Sequence, residues 1–298
     1  MNSSIFKSIL SLTLAFMLSF SLTACSNNVN EIEQKISEID NISVDSRESL
    51  EAIDAEYQKL SDEDKGRVGN YDALQAALDE CNFLNAVEQS ISNRMENKDS
   101  DDRLTLVNTE LAFLDEFREK TFADETLQAL KDEYFEGLDI QKDSLSAEFS
   151  YSQQVEWQRG YVYRNEALVG LYNDYGIMAS NNDFVGTYVS GYDKQKALLD
   201  AFDAIEADIA AQSESFDFQY NDRDNSMSFV VANNTSYKFS TVWEFSFKDE
   251  SGTVTETANA YSENVQPNSS YIVKVYLTDQ DSGMGGFEWS NYYTDVVV

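Results

Sequence analysis

Up to Ser213 the apolar residues of this chain recur every third or fourth position, and beyond it they alternate. That change of period, from about 3.6 to 2, divides the chain into a helical part and a β part. Val29, Ile32, Ile36 and Ile39 step by threes and fours, and so do Leu50, Ile53, Tyr57 and Leu60. From Tyr237 the odd positions hold Tyr237, Phe239, Thr241, Trp243, Phe245 and Phe247. The even ones hold Lys238, Ser240, Val242, Glu244, Ser246 and Lys248. One face of that segment belongs in a core and the other in water. The single proline, Pro267, falls in the β part, and glycine is sparse before it, so long helices are unobstructed over most of the chain.

The helical part reads as an antiparallel bundle. Asp45 with Glu48 fits a capping pair, Ser61 caps a short helix, and Asn70 starts a helix carrying Leu74, Leu78, Cys81, Leu84, Val87 and Ile91. After the charged break Asn97–Arg103, Ser100 caps a helix with Leu104, Val107, Leu111, Leu114 and Phe117. Further helices begin near Asp124 and span about Ser152–Tyr175 and Asp193–Gln212. In the β part, turns at Asn221–Asn225, Asn233–Ser236 and Asp249–Gly252 separate strands at Met227–Ala232 and Tyr237–Lys248. Pro267–Ser270 precedes a strand at Tyr271–Thr278, and a last strand pair runs from Phe287 to Val298. The expectation is a multidomain α + β chain: a helical hairpin at 25–96, a helical bundle at 97–212, and an antiparallel, immunoglobulin-like β-sandwich at 213–298.

The first 24 residues read as a targeting segment. Lys7 precedes a charge-free apolar run from Ile9 to Leu22, which ends at Leu22-Thr23-Ala24-Cys25. A secretory signal has this form, and a spanning helix would be longer. The stretch resembles a bacterial lipoprotein signal. The resemblance implies cleavage before Cys25, diacylation (palmitate-type) of its thiol, and a mature chain held on the extracytoplasmic side of the cell membrane. Ser26, where an Asp would signal inner-membrane retention of the enteric kind, leaves that retention unsignalled.

Composition excludes more than it identifies. The formal net charge is −33, with 54 acidic residues against 21 basic ones. Nucleic-acid phosphates and anionic headgroups would be repelled. There is no histidine, which removes Ser-His-Asp and Cys-His nucleophilic machinery and imidazole-ligated metals. The two cysteines do not make a disulfide framework: with Cys25 lipidated, Cys81 has no partner and reads as a buried inert thiol. No catalytic residues, cofactor or metal site are expected. Asp279-Gln280-Asp281-Ser282-Gly283 opens like a calcium loop, but its sixth and twelfth positions are Met284 and Ser290, so only a loose site with Glu288 is left.

Two further resemblances rest on short runs. Tyr57, Leu60, Ser61 and Lys65, followed by Val68, Asn70, Tyr71 and Leu74, match the Tyr-x-x-Leu-[ST]-x-x-x-Lys and Val-x-Asn-Tyr-x-x-Leu steps of a helical spacer module of Gram-positive surface proteins. The resemblance implies a spacer between an anchor and a displayed domain. Val231-Ala232-Asn233-Asn234, Phe247-Lys248-Asp249-Glu250-Ser251-Gly252 and Pro267-Asn268-Ser269-Ser270 resemble the FxLYD-type sandwich of bacterial envelope proteins, which has Gly where this chain has Asn268.

The candidate binding residues are Trp157, Tyr161, Tyr163 and Tyr172, within an aromatic-rich stretch from Tyr151 to Tyr192. Their rings either line a groove for a sugar or peptide or pack a helical core. The functional expectation is an extracellular, lipid-anchored, non-enzymatic binding or structural module displayed on a helical stalk. Its partners are the membrane, through Cys25, and a protein or glycan. The alternatives are a carboxylate-dependent hydrolase of envelope glycan and an envelope assembly or chaperone factor.

Overall fold

A computed structural model describes residues 28–98, 102–146, 151–278 and 286–298. The signal segment with Cys25, and Asp279 and Asp281 of the calcium-like loop, lie outside the described residues. Helices occupy the chain up to residue 215, and two antiparallel sheets follow. The helices are α1 (28–37), α2 (Arg47–Gln58), α3 (Asp62–Lys65), α4 (Tyr71–Glu96), α5 (Arg103–Leu114), α6 (Glu125–Ser146), α7 (Tyr151–Tyr175) and α8 (Ser190–Gln212). The chain divides into two compact units. One comprises residues up to 132 with 167–182, and the other comprises 133–166 with 183–298.

In the first unit the predicted stripes of α1 and α4 are largely buried, whereas of the α2 stripe only Leu50 is buried and Ile53, Tyr57 and Leu60 are half-buried. Val29, Ile32 and Ile36 of α1 and Leu74, Cys81, Leu84, Val87 and Ile91 of α4 all face the interior. The spacer-like residues meet in space. Tyr57 and Tyr71 stack with ring centroids 3.6 Å apart, and the Tyr71 hydroxyl donates to Asp54 at 2.9 Å. Burial, and then that carboxylate, pushes the Tyr71 phenol up to about 12. Asn70 does start α4, yet its side chain makes no cap; its amide donates instead to the Glu33 carbonyl of α1 at 2.9 Å. Ser61 caps α3 as expected, accepting from the Asp64 N–H.

Two caps differ from the sequence reading. Ser43 with Ser46, not Asp45 with Glu48, forms the box ahead of α2, because a 3₁₀ turn at Val44–Ser46 inserts before the helix. Asp102 caps α5, accepting from the Thr105 N–H at 2.9 Å. Asp124 caps α6, and the buried Glu80 of α4 accepts the Ala123 and Asp124 N–H groups at 2.7 and 2.9 Å. A carboxylate there satisfies otherwise orphaned donors and complements the helix dipole.

In the second unit α6 and α7 cross backbone to backbone. A Cβ on Gly137 would lie 2.4 Å from the Arg164 nitrogen, and one on Gly160 would lie 2.7 Å from the Gly137 carbonyl. Beside the crossing the Arg164 side chain is fully buried between the rings of Tyr134 and Tyr188, 5.7 and 5.3 Å from their centroids. Tyr188 sits in a π-helical turn, Val185–Val189, that leads into α8. The sequence pattern gives no sign of that turn.

The sheets are β1 (Gln219–Asn221), β2 (Ser226–Asn233) and β5 (Ser269–Tyr276) in the order β1-β2-β5, and β3 (Lys238–Lys248), β4 (Val254–Val265) and β6 (Gly286–Val297) in the order β4-β3-β6. The odd residues of β3 fill the core as their alternation requires. Trp243 is fully buried, with the rings of Phe216, Phe229 and Trp289 within 6.0 Å. Ile205 and Ile209 of α8 join this core. The end of α8 also finishes the sheet edge. The Gln212 carboxamide both donates to and accepts from the Ala232 backbone at 2.9 Å, as a neighbouring strand would.

The expected last strand pair is instead one strand, β6. Asp295 adopts a positive φ of 52° in a bulge, so the chain kinks without turning back. Asn268 also has a positive φ, 51°, a conformation that asparagine adopts more readily than most non-glycine residues. Asn233 of the Val-x-Asn-Asn run is a structural clasp. Its amide donates to the carbonyls of Tyr237 and Gln266, and its oxygen accepts from Thr235.

Candidate functional site

The three aromatic candidates of the second unit, Trp157, Tyr161 and Tyr163, do not share one helix face. Trp157 and Tyr161 are one helical turn apart and stack, with centroids 5.4 Å apart and planes 22° apart. Both are half-buried. Tyr163 is two residues on from Tyr161, roughly 200° round the helix, and so faces elsewhere. Tyr172 falls in the other unit. Next to Trp157, Gln158 donates to Gln195 of α8 at 2.6 Å and Arg159 pairs with Asp203 of α8 at 2.9 Å. This part of α7 therefore packs against α8.

The same three helices bring together groups that the sequence reading did not single out. Glu133 comes from α6, Glu166 from α7, and Tyr192 and Lys196 from α8. Lys196 Nζ lies 3.3 Å from Glu166 Oε2. Burial first, and then the nearby Glu166 carboxyl, raise the Tyr192 phenol above its ordinary value. Glu133 is the unusual member. Partial burial first, then the negative charges of Glu166 and Glu136, push its carboxyl up to about 7, with Lys196 opposing. A carboxyl pushed up by burial and by neighbouring carboxylates has the electrostatics of a general-acid candidate. In a chain with 54 acidic residues, nothing in the sequence distinguishes Glu133 and Glu166 from the rest.

Cys81 is buried, and burial pushes its thiol up, away from the reactive thiolate. Among the described residues no group of three or more Cys, Asp or Glu side chains is placed to hold a metal ion, and no helix is long and apolar enough to cross a membrane.

The exposed apolar surface is concentrated in one part of the chain. Among the described residues, Tyr220, Val230, Val254, Tyr261, Ile272, Tyr276, Val297 and Val298 are the large hydrophobic side chains left substantially in water, and all lie in the β part. Val230 and Ile272 are direct cross-strand neighbours on the outer face of the β1-β2-β5 sheet, each more than 60% exposed. Alternation alone could have flagged them, since they occupy the water-facing register of β2 and β5.

Scans against family models, characterised proteins and solved structures returned no match.

Proposed function

We propose that this chain is a lipid-anchored, extracytoplasmic, non-enzymatic module whose helices carry a β-sandwich that contacts a protein or glycan partner. The observation behind the binding role is the distribution of exposed apolar side chains. Among the described residues the helices leave no large apolar side chain substantially in water, while the sandwich presents valine, isoleucine and tyrosine outward. Val230 and Ile272 stand side by side in water, and contiguous exposed apolar surface marks a contact surface.

The anchor reading rests on Cys25 and the charge-free run before it. One acyl chain binds a membrane only marginally, at about 0.8 kcal/mol per buried CH₂, so two chains on one thiol are needed to hold firmly. The test is intact mass and N-terminal sequencing of protein extracted from membranes. The expected product begins at Cys25 and carries a diacylglyceryl group, and Cys25→Ser abolishes incorporation of labelled fatty acid. An unmodified N-terminus elsewhere would refute the anchor.

The Glu133–Glu166 pair favours one second reading, a carboxylate-dependent hydrolase acting on envelope glycan. Here Glu133 would serve as the acid and Glu166, 3.3 Å from Lys196, as the second carboxyl. The two readings separate on turnover of glycan fragments. No turnover is expected, and reproducible turnover that disappears in Glu133→Gln would establish the hydrolase.

A further inference from the structure

The outer face of the β4-β3-β6 sheet holds a concavity of about 390 Å³ at the end where both edge strands bulge. Its origin is in the register. β4 slips between its pairings to Phe239 and Thr241, and β6 slips between its pairings to Lys238 and Ser240. Asn264 and Asp295 supply the bulges with positive φ of 55° and 52°. Both neighbours of β3 therefore spread apart around Ser240, and the sheet is dished there. The Asn264 N–H donates to the Ser240 hydroxyl at 3.2 Å, holding one side of the dish in place.

The lining has a specific chemistry. Tyr261 and Val242 form a cross-strand row in it. Val242 is buried, whereas Tyr261 is 67% exposed, the most exposed of the large apolar side chains among the described residues. Beside this row stand the paired Ser240 and Thr294, with Asn264 at the rim. A single aromatic platform bordered by hydroxyl and amide groups suits a ligand with an apolar ring face and many hydroxyls. The volume lies within the roughly 300–1,000 Å³ of small-molecule sites. A protein partner needs about 800 Å² on each side, more than this dish offers. Glu263 and Asp295 outnumber Lys238 at the rim, on a chain of net charge −33, so anionic sugars are disfavoured.

We propose that this dish is a saccharide-binding site for neutral or amino-bearing sugar units, with Tyr261 as the stacking platform. The proposal rests on the binding-module reading above and deepens it by naming the ligand class and the surface. The test is calorimetric titration of the detergent-solubilised full-length protein with three probes: neutral gluco-oligosaccharides, glucosamine oligomers and uronic-acid oligomers. Binding is expected for the first or second probe and not for the third. Tyr261→Ala should weaken it at least tenfold, while Tyr261→Phe, which keeps the ring, should retain it. Tyr261 is exposed, so neither variant threatens folding, and unchanged thermal melting verifies that. Absence of binding by the first two probes, preference for the uronic-acid oligomers, or full affinity in Tyr261→Ala would overturn the proposal. Saccharide binding lost in Trp157→Ala but not in Tyr261→Ala would overturn this placement and leave the binding-module reading standing. Cleavage of the probe that Glu133→Gln abolishes would remove the binding-module reading itself.

Discussion

Glu133 shows how far a single residue can depart from its sequence context. Its folded pKa of about 7 lies above the ordinary 4.5, so the folded protein holds a proton that the unfolded chain has released. Stability must then fall as pH rises from about 4.5 to about 7, and stay lower above that. The full shift would correspond to about 3 kcal/mol. The side chain is part-exposed, so solvent screening reduces this to about 1–2 kcal/mol. Glu133→Gln should therefore stabilise the protein by about that amount at pH 8 and leave it unchanged at pH 4, as read by urea unfolding. An equal effect at both pH values would show that the carboxyl is not perturbed. Asn268 and Asn233 make a related point about side chains. One adopts a positive φ that most side chains resist, and the other closes a turn with both ends of its amide.

Among the elements, the crossing of α6 and α7 is the most constrained. Gly137 and Gly160 let the two backbones touch, and the obstacle to any Cβ is backbone, which has nowhere to rotate. Gly137→Ala normally favours a helix, by about 1 kcal/mol of intrinsic propensity. Here the clash should win, with a net loss of about 1–3 kcal/mol. Gly186→Ala, which would meet nothing within 4 Å, is the control for a glycine substitution without a clash. A Gly137→Ala variant as stable as the parent in chemical denaturation would mean that the helices are not in contact as described. At the opposite end of α8, Gln212 and Asp208 hold β2 and Asn234, so the helix finishes the sandwich edge as well as contributing Ile205 and Ile209 to its core.

For the whole molecule, charge is the dominant variable. A net charge of −33 on 298 residues means self-repulsion that local ion pairs only partly offset. The Debye length is about 30 Å at 0.01 M salt and about 8 Å at 0.15 M. Raising salt over that range should therefore raise the Tm, and a flat or falling Tm would show that the ion pairs, not the net repulsion, control stability. The sequence by itself determined the fold class: helices up to Ser213, strands after it, a buried Trp243, and a lipobox-like run ending at Cys25. These follow from period, turn chemistry and composition, which are local and survive without knowledge of neighbours. Single caps were less legible, because Ser43 and Asp102 compete with equally plausible acids and serines a residue or two away. Only the tertiary structure decided that Trp157 and Tyr161 stack while Tyr163 faces away, that Glu133 meets Glu166, and that two bulges dish the sheet beneath Tyr261. Each depends on which helix or strand lies alongside, a long-range outcome of packing. Burial and electrostatic environment are properties of those neighbours and not of the residue that bears them.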